Sequence, residues 1–334
     1  MNSTDSLLPK RRKLQELLGA RTTAWMADGL MYAMMNSLQW HLRSLACGAD
    51  EMERYLLECE PLTRTDYFLA AEPTGVREEA DGTLVWNSPF ASGFAQNDQF
   101  RVELFPVHGK PTAPTVILLH ALMSADATGY RRVAKWFNDR GWAAALPHLP
   151  FHYSRVPRGF FNGSLAITAN LIRNGETLRQ GVVEIRQLMR ILRSRGVERF
   201  GLVGTSYGGW VGSLVSFHEP DLEFLALLQP ICDVEHAIWE NPAAVTIRKI
   251  LHTQGIEPGG SLRHAHLSSP MHGVPALKAD RIILCSGRYD RVSPPDRLRL
   301  LAEKWGGAKY LEVIQGHFGY AALPATLGEV ERML

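Results

Sequence analysis

Apolar positions change their rhythm twice along the chain. In the first stretch Met31, Met34, Leu38, Leu42 and Leu45 recur at spacings of three and four, which places them on one face of a helix. Residues 10 to about 60 therefore read as helical, within an extension spanning residues 1–80. From Thr83 the period shortens. The segments TLVWNSPF (83–90) and QFRVELFPVHG (99–109) read as strands, and Phe100, Val102 and Leu104 alternate with polar neighbours as in a half-buried pair. A third pattern follows. TVILLH (115–120), WAAALPHLP (142–150), RFGLVGTS (199–206), LEFLALLQPICD (222–233), RIILCSGRYD (281–290) and KYLEVIQGH (309–317) are almost continuously apolar. Strands covered on both faces in a parallel sheet look like this.

Helical patterns lie between several of these runs. In VVEIRQLMRILRSRG (182–196), Val182, Ile185, Leu188, Met189 and Leu192 form one stripe, and basic residues gather at the C-terminal end, where the helix dipole favours them. The alternation predicts an α/β fold with a mostly parallel, doubly wound sheet. One interval breaks it. Residues 234–279 carry Pro242, Pro258, Gly259, Gly260, Pro270 and Pro275, too irregular for a simple crossover, and read as a cap inserted over the carboxyl edge of the sheet.

Within this frame the stretch RFGLVGTSYGGWVG (199–212) carries the chemistry. Gly204-Thr205-Ser206-Tyr207-Gly208 is a G-x-S-x-G pentapeptide between a predicted buried strand and a predicted helix. At such a junction a tight, strained turn lifts the serine hydroxyl above the sheet, and the glycines remove side chains that would clash. A serine hydroxyl needs a base and an orienting acid to become a nucleophile. Asp290 and His317 follow in that order, each just past a predicted strand.

From about residue 83 onward the sequence resembles the α/β-hydrolase superfamily, on its serine esterase and lipase side. The resemblance implies Ser206 as nucleophile, Asp290 as acid and His317 as base. It also implies an oxyanion hole made by the backbone N–H of Tyr207 and one in the loop LLHALMSAD (118–126). His120-Ala121 stands there in place of the usual His-Gly, so the second donor lies between Leu122, the first choice, and Ala121. The expected protein is a serine hydrolase cleaving a carboxylic ester or related acyl compound through an acyl-enzyme, with a small-molecule acyl substrate. An acyltransferase on the same fold is the alternative, as is a non-catalytic homologue that binds a partner through its N-terminal helices.

Other readings compete at single positions. Ser206 would be a structural serine only if the fold were retained without activity, and Asp233 is the rival acid, at the end of the preceding strand. His236, His252, His264, His266 and His272 all fall in the insert, but none of their spacings suits a zinc site. The loop PHLPFHYSRVPRGFF (147–161) mixes His148, His152, Arg155 and Arg158 with Phe151, Tyr153, Phe160 and Phe161. It suits either an aromatic or acidic acyl group at the site or a loop packed on its own aromatics.

Composition narrows the classes. A formal net charge of +2 over 334 residues gives no electrostatic case for nucleic acid. Cys47, Cys59, Cys232 and Cys285 are widely scattered and read as reduced, buried thiols. No cofactor and no metal are expected. The N-terminus lacks the apolar core of a secretory signal and no run is long enough to span a bilayer, so a cytoplasmic location is expected. The basic cluster Lys10-Arg11-Arg12-Lys13 upstream of the helical stripe raises membrane-surface contact as an alternative, but docking of the stripe on the hydrolase domain is favoured.

Overall fold

The structure is a computed structural model, and it describes residues 19–260 and 262–334. Nine strands form one sheet in the order β1-β2-β3-β5-β4-β6-β7-β8-β9. The strands are β1 (Thr74–Glu78), β2 (Leu84–Asn87), β3 (Gln99–Phe105), β4 (Thr115–Leu119), β5 (Ala143–Pro147), β6 (Phe200–Thr205), β7 (Leu222–Leu228), β8 (Ile282–Gly287) and β9 (Lys309–Val313). The first three pair antiparallel, and β3 pairs antiparallel with β5. From β5 through β9 every pairing is parallel. Each continuous apolar run thus became a parallel strand. Strand β1 had no signal in the sequence: all five of its residues are exposed, so no burial pattern marks it.

Alternate residues of the central strands feed two cores. Ile117, Leu119, Leu202, Leu225, Leu227 and Leu284 point to one face. There they meet helices α5 (Leu171–Ser194) and α6 (Tyr207–Ser216), with α9 (Pro295–Lys304) alongside. Val116, Leu118, Val203, Ala226, Leu228 and Ile283 point to the other, against α4 (Thr128–Asn138) and α10 (Ala322–Val330).

The N-terminal extension forms α1 (Ala20–His41), α2 (Ala49–Cys59) and a short α3 (Arg64–Tyr67). Its buried face differs in phase from the predicted stripe. Asp28, Tyr32, Gln39 and Leu42 are buried, Met31, Met35, Leu38 and Leu45 are half-buried, and Met34 is exposed. Hydropathy alone found only part of this face, because two of its buried members, Asp28 and Gln39, are polar groups that find partners only in the folded protein. The basic cluster at residues 10–13 lies outside the described residues. No described helix is long and apolar enough to cross a membrane.

Residues 234–279 hold a π-helical turn (His236–Glu240), α7 (Val245–Thr253) and α8 (Leu262–Ser268). Insert and extension share a third core, in which Cys47, Met52 and Leu56 meet Leu171, Ile247 and Leu251. Asn36 ties the two together: its Nδ2 donates to the Pro242 carbonyl at 3.0 Å, and its Oδ1 accepts from the Thr246 N–H at 2.7 Å. All four cysteines are free and buried.

Because Leu56 is almost fully buried in this shared core, Leu56→Ala is expected to lower unfolding free energy by about 2–4 kcal/mol. Urea denaturation of the full chain checks this. A change below about 0.5 kcal/mol, as at surface sites, would show that the extension contributes nothing to the fold.

Candidate active site

The carboxyl ends of the parallel strands converge on one cavity, the edge where open α/β sheets place their ligands. Leu122 follows β4, Ser206 and Tyr207 follow β6, Gln229 and Ile231 follow β7, Val292 follows β8 and His317 follows β9; all line it.

Ser206 sits between β6 and α6 with φ 51° and ψ −112°, outside the comfortable range of a side-chain-bearing residue. Holding it there costs about 1–3 kcal/mol. The neighbouring backbone enforces the turn. A Cβ on Gly204 would lie 2.7 Å from the Gly208 carbonyl oxygen, and one on Gly208 would collide with the carbonyls of Leu119 and His120. The Ser206 N–H donates to the Leu228 carbonyl at 2.8 Å, which anchors the turn to β7.

The Ser206 hydroxyl lies 2.8 Å from His317 Nε2, and His317 Nδ1 lies 2.7 Å from Asp290 Oδ2. The structure therefore brings Ser206, His317 and Asp290 into one hydrogen-bonded chain. Asp290 is fully engaged. Its Oδ1 accepts from the N–H groups of Val292 (2.8 Å) and Ser293 (2.9 Å), and its Oδ2 also accepts from Gln229 Nε2 at 2.5 Å. Burial by itself pushes the His317 imidazole pKa down. The charge and hydrogen bond of Asp290, with Asp28 adding to them, outweigh burial and hold it above the usual 6.5. Asp233 does not reach His317. It pairs with Arg297 at 3.2 Å and accepts the His236 N–H at 3.2 Å.

The loop after β4 separates the two candidate oxyanion donors. The Ala121 N–H donates to the Tyr130 hydroxyl at 2.8 Å, and the Met123 N–H donates to His152 Nε2 at 3.2 Å. The Leu122 N–H between them has no protein acceptor among the described residues. Tyr207 opens α6, where the first N–H groups lack intrahelical acceptors. Two buried histidines brace this loop. Burial lowers the pKa of His152 to about 4 and that of His120 well below its usual value, so both are neutral. His152 Nδ1 then donates to the Pro150 carbonyl at 2.8 Å, leaving Nε2 to accept from Met123.

Residues the sequence reading passed over complete the site. Gln229, at φ 48°, bridges Asp290 and the Gly316 carbonyl. Asp28 accepts from the backbone N–H of His317 at 2.9 Å and of Phe318 at 3.1 Å. Only the glycines around His317 hinted at such crowding: a Cβ on Gly316 would press on the Asp28 carboxylate.

The loop 147–161 takes the packed alternative. Arg155 is wholly buried, paired with Glu184 at 2.7 and 2.8 Å and donating to the His148 carbonyl at 2.9 Å. None of residues 147–161 lines the cavity. Several of the insert's histidines are engaged locally or on neighbouring segments. His236 meets Glu240 and the Arg291 carbonyl, His252 meets Glu257, and His264 meets Tyr55. Among the described residues no three His, Cys, Asp or Glu side chains converge to hold a metal ion.

The cavity encloses about 1200 Å³ including its open mouth. Met31 and Met35 of α1 and Ile238, Ala244 and Ile247 of the insert roof it, so extension and insert together close over Ser206. A smaller apolar chamber adjoins it, sharing Ile167, Leu171, Asn174, Trp210, Ala237 and Ile238 and extending to Met52, Tyr55 and His264.

This sheet, with the strand-end cavity and the turn at Ser206, is the α/β-hydrolase fold. Solved structures of that fold match most of the chain. An acetyl xylan esterase from Paenibacillus sp. R4 superposes with a TM-score of 0.60 at 14% identity, over 84% of this chain and 94% of that one. Acetyl xylan esterase 1 from Thermoanaerobacterium gives 0.56 at 15% identity, over 86% and 94%. In sequence, the chain is 27% identical over 192 residues to an uncharacterized protein of Mycobacterium tuberculosis, covering 57% of this chain. The chain spans 45% of the length of that curated relative. No protein-family model matches it.

The close main-chain contact at Gly208 sets a test. Gly208→Ala is expected to destabilise the protein by at least ~2 kcal/mol, since a methyl group there must displace backbone. Gly129→Ala in α4, which meets open space, is expected to be neutral or stabilising by up to ~1 kcal/mol. Thermal melts of the two variants compare them; equal melting temperatures would show that the turn is not sterically fixed.

Proposed function

We propose that this protein is a serine hydrolase acting on a neutral, apolar acyl ester. The observation that carries the reading is the hydrogen-bonded series Ser206–His317–Asp290 opening into an apolar cavity. Ser206 Oγ attacks the acyl carbonyl while His317 Nε2 takes its proton. The raised pKa suits His317 to hold that proton and pass it to the leaving oxygen. Asp290 keeps Nδ1 protonated, which leaves Nε2 as the base. The N–H groups of Leu122 and Tyr207 stabilise the oxyanion, and each such donor is typically worth about 3–4 kcal/mol in the transition state. Water then attacks the acyl-enzyme, with His317 again the base.

The lining supports the substrate class. Among the described residues, apart from His317, no titratable acid or base lines the main cavity except the buried phenol of Tyr207, so a charged acyl group finds no counter-ion there. Methionine side chains at 31, 35 and 123 suit a flexible aliphatic chain.

A fluorophosphonate probe is expected to label the wild-type protein and not Ser206→Ala. Ser206→Ala and His317→Ala are each expected to lower kcat by roughly 10⁴-fold or more, and the double variant by no more than either alone. Mass spectrometry of the labelled protein and ester assays measure both; labelling that survives in Ser206→Ala would remove Ser206 as nucleophile.

Over a series of 4-nitrophenyl esters, kcat/KM is expected to rise by roughly tenfold or more from acetyl to octanoyl, as each buried methylene contributes about 0.8 kcal/mol at most. A flat or falling series would show that the cavity does not take the acyl chain.

A further inference from the structure

Asp28 lies outside the part of the chain that resembles a hydrolase, yet it touches the loop carrying His317. Its side chain enters from α1 and is nearly inaccessible to solvent. Oδ2 accepts from the His317 N–H at 2.9 Å and from the Tyr32 hydroxyl at 3.3 Å, and Oδ1 accepts from the Phe318 N–H at 3.1 Å. All three partners are donors. Two of them are backbone N–H groups, which can only donate, so the site favours the carboxylate, although the Tyr32 hydroxyl can also accept. Without it, the His317 and Phe318 N–H groups at the base of the histidine loop would lose their acceptors, a cost proteins rarely accept in buried backbone. Gly316 adjoins the carboxylate so closely that any side chain would displace it. Ring contacts hold the same place: Tyr32 meets Phe318 edge-on at 6.3 Å, and Phe318 meets His317 at 5.2 Å.

We propose that Asp28 is a positioning residue for His317: the N-terminal helix inserts it to fix the backbone of the histidine loop and to set a second negative charge near the imidazole. The proposal rests on the serine-hydrolase reading. Asp28 acts on the backbone, whereas Asp290 acts on the ring. The charged and titratable groups around this point are Asp290, His317, Tyr32 on the same helix, and Arg291, which acts on the Tyr32 phenol. Burial raises the Asp28 pKa, and the two backbone bonds oppose that rise. The negative charge of Asp28 favours the imidazolium. Removing it must therefore lower the His317 pKa, and activity must persist to lower pH.

The test uses the full chain with 4-nitrophenyl butyrate. Asp28→Asn is expected to move the acid limb of kcat/KM down by about half a pH unit or more. It should lower kcat by roughly tenfold with KM within about twofold, the pattern of a misplaced catalytic group. Asp28→Glu keeps the charge and displaces the acceptors, so its acid limb should stay near wild type while kcat falls. Histidine NMR in a Ser206→Ala background reads the His317 titration without turnover, and it should shift down in Asp28→Asn. If folded Asp28→Asn leaves both the acid limb and the NMR titration unmoved, the proposal is wrong; wild-type kcat in Asp28→Glu overturns its positional part. Failure of the phosphonate to label Ser206 would instead overturn the hydrolase reading, and the NMR titration would still decide Asp28.

Discussion

Between β6 and α6 the chain turns so tightly that glycines 204, 208 and 209 touch neighbouring atoms with no space for a side chain. Gly208 lies against the carbonyls of Leu119 and His120, and Gly209 against Pro230. This contact does three things at once. It forces Ser206 to positive φ, so its hydroxyl stands clear of the sheet. It packs α6 close to β4, which brings the loop after β4 beside the helix N-terminus. It also leaves Leu122 and Tyr207 lining the same cavity as the serine. Strain of a few kcal/mol at one residue is tolerable because the surrounding main chain offers no alternative path.

The remaining site geometry comes from polar side chains that are buried and satisfied. Asp290 receives four hydrogen bonds. Gln229 donates to Asp290 and the Gly316 carbonyl, and its Oε1 accepts from Gln315 Nε2 at 2.6 Å. Gln315 Oε1 in turn accepts the Ala321 and Ala322 N–H groups at 2.6 and 3.1 Å. The loops after β7, β8 and β9 are thus linked through side-chain amides, at spacing that packing of apolar groups alone would not define. Each link is individually worth only about 0.5–1.5 kcal/mol net. Their importance is directional, since leaving one buried member unpaired costs more than the bond contributes.

The N-terminal extension changes what counts as the functional unit. Its α1 roofs the cavity with Met31 and Met35, its α2 shares a core with the insert, and Asp28 grips the histidine loop. Extension and insert are therefore one layer above the sheet, although some 200 residues separate them in sequence. Asn36 shows the coupling on the scale of one side chain, bonding the insert through both ends of its amide.

Much of this was legible in the sequence. Continuous apolar runs marked the strands of the parallel sheet, because a strand covered on both faces has no polar positions to spare. The glycines around Ser206 marked the turn, and the chain order of Ser206, Asp290 and His317 picked out side chains that the structure brings within hydrogen-bonding distance. Those signals are local: periodicity, turn chemistry and position after a strand. Tertiary structure decided the rest. Strand β1 pairs at an exposed edge and carries no pattern. The phase of α1 is set by Asp28 and Gln39, polar residues whose partners lie about 290 and 128 positions away. Arg155 looked available for a ligand until Glu184 and the His148 carbonyl enclosed it. The Ala121 N–H is taken by the Tyr130 hydroxyl, nine residues on, a partner the loop sequence did not announce. In each case the deciding partner lies outside the local pattern, and a buried polar group declares its purpose only when that partner is in place.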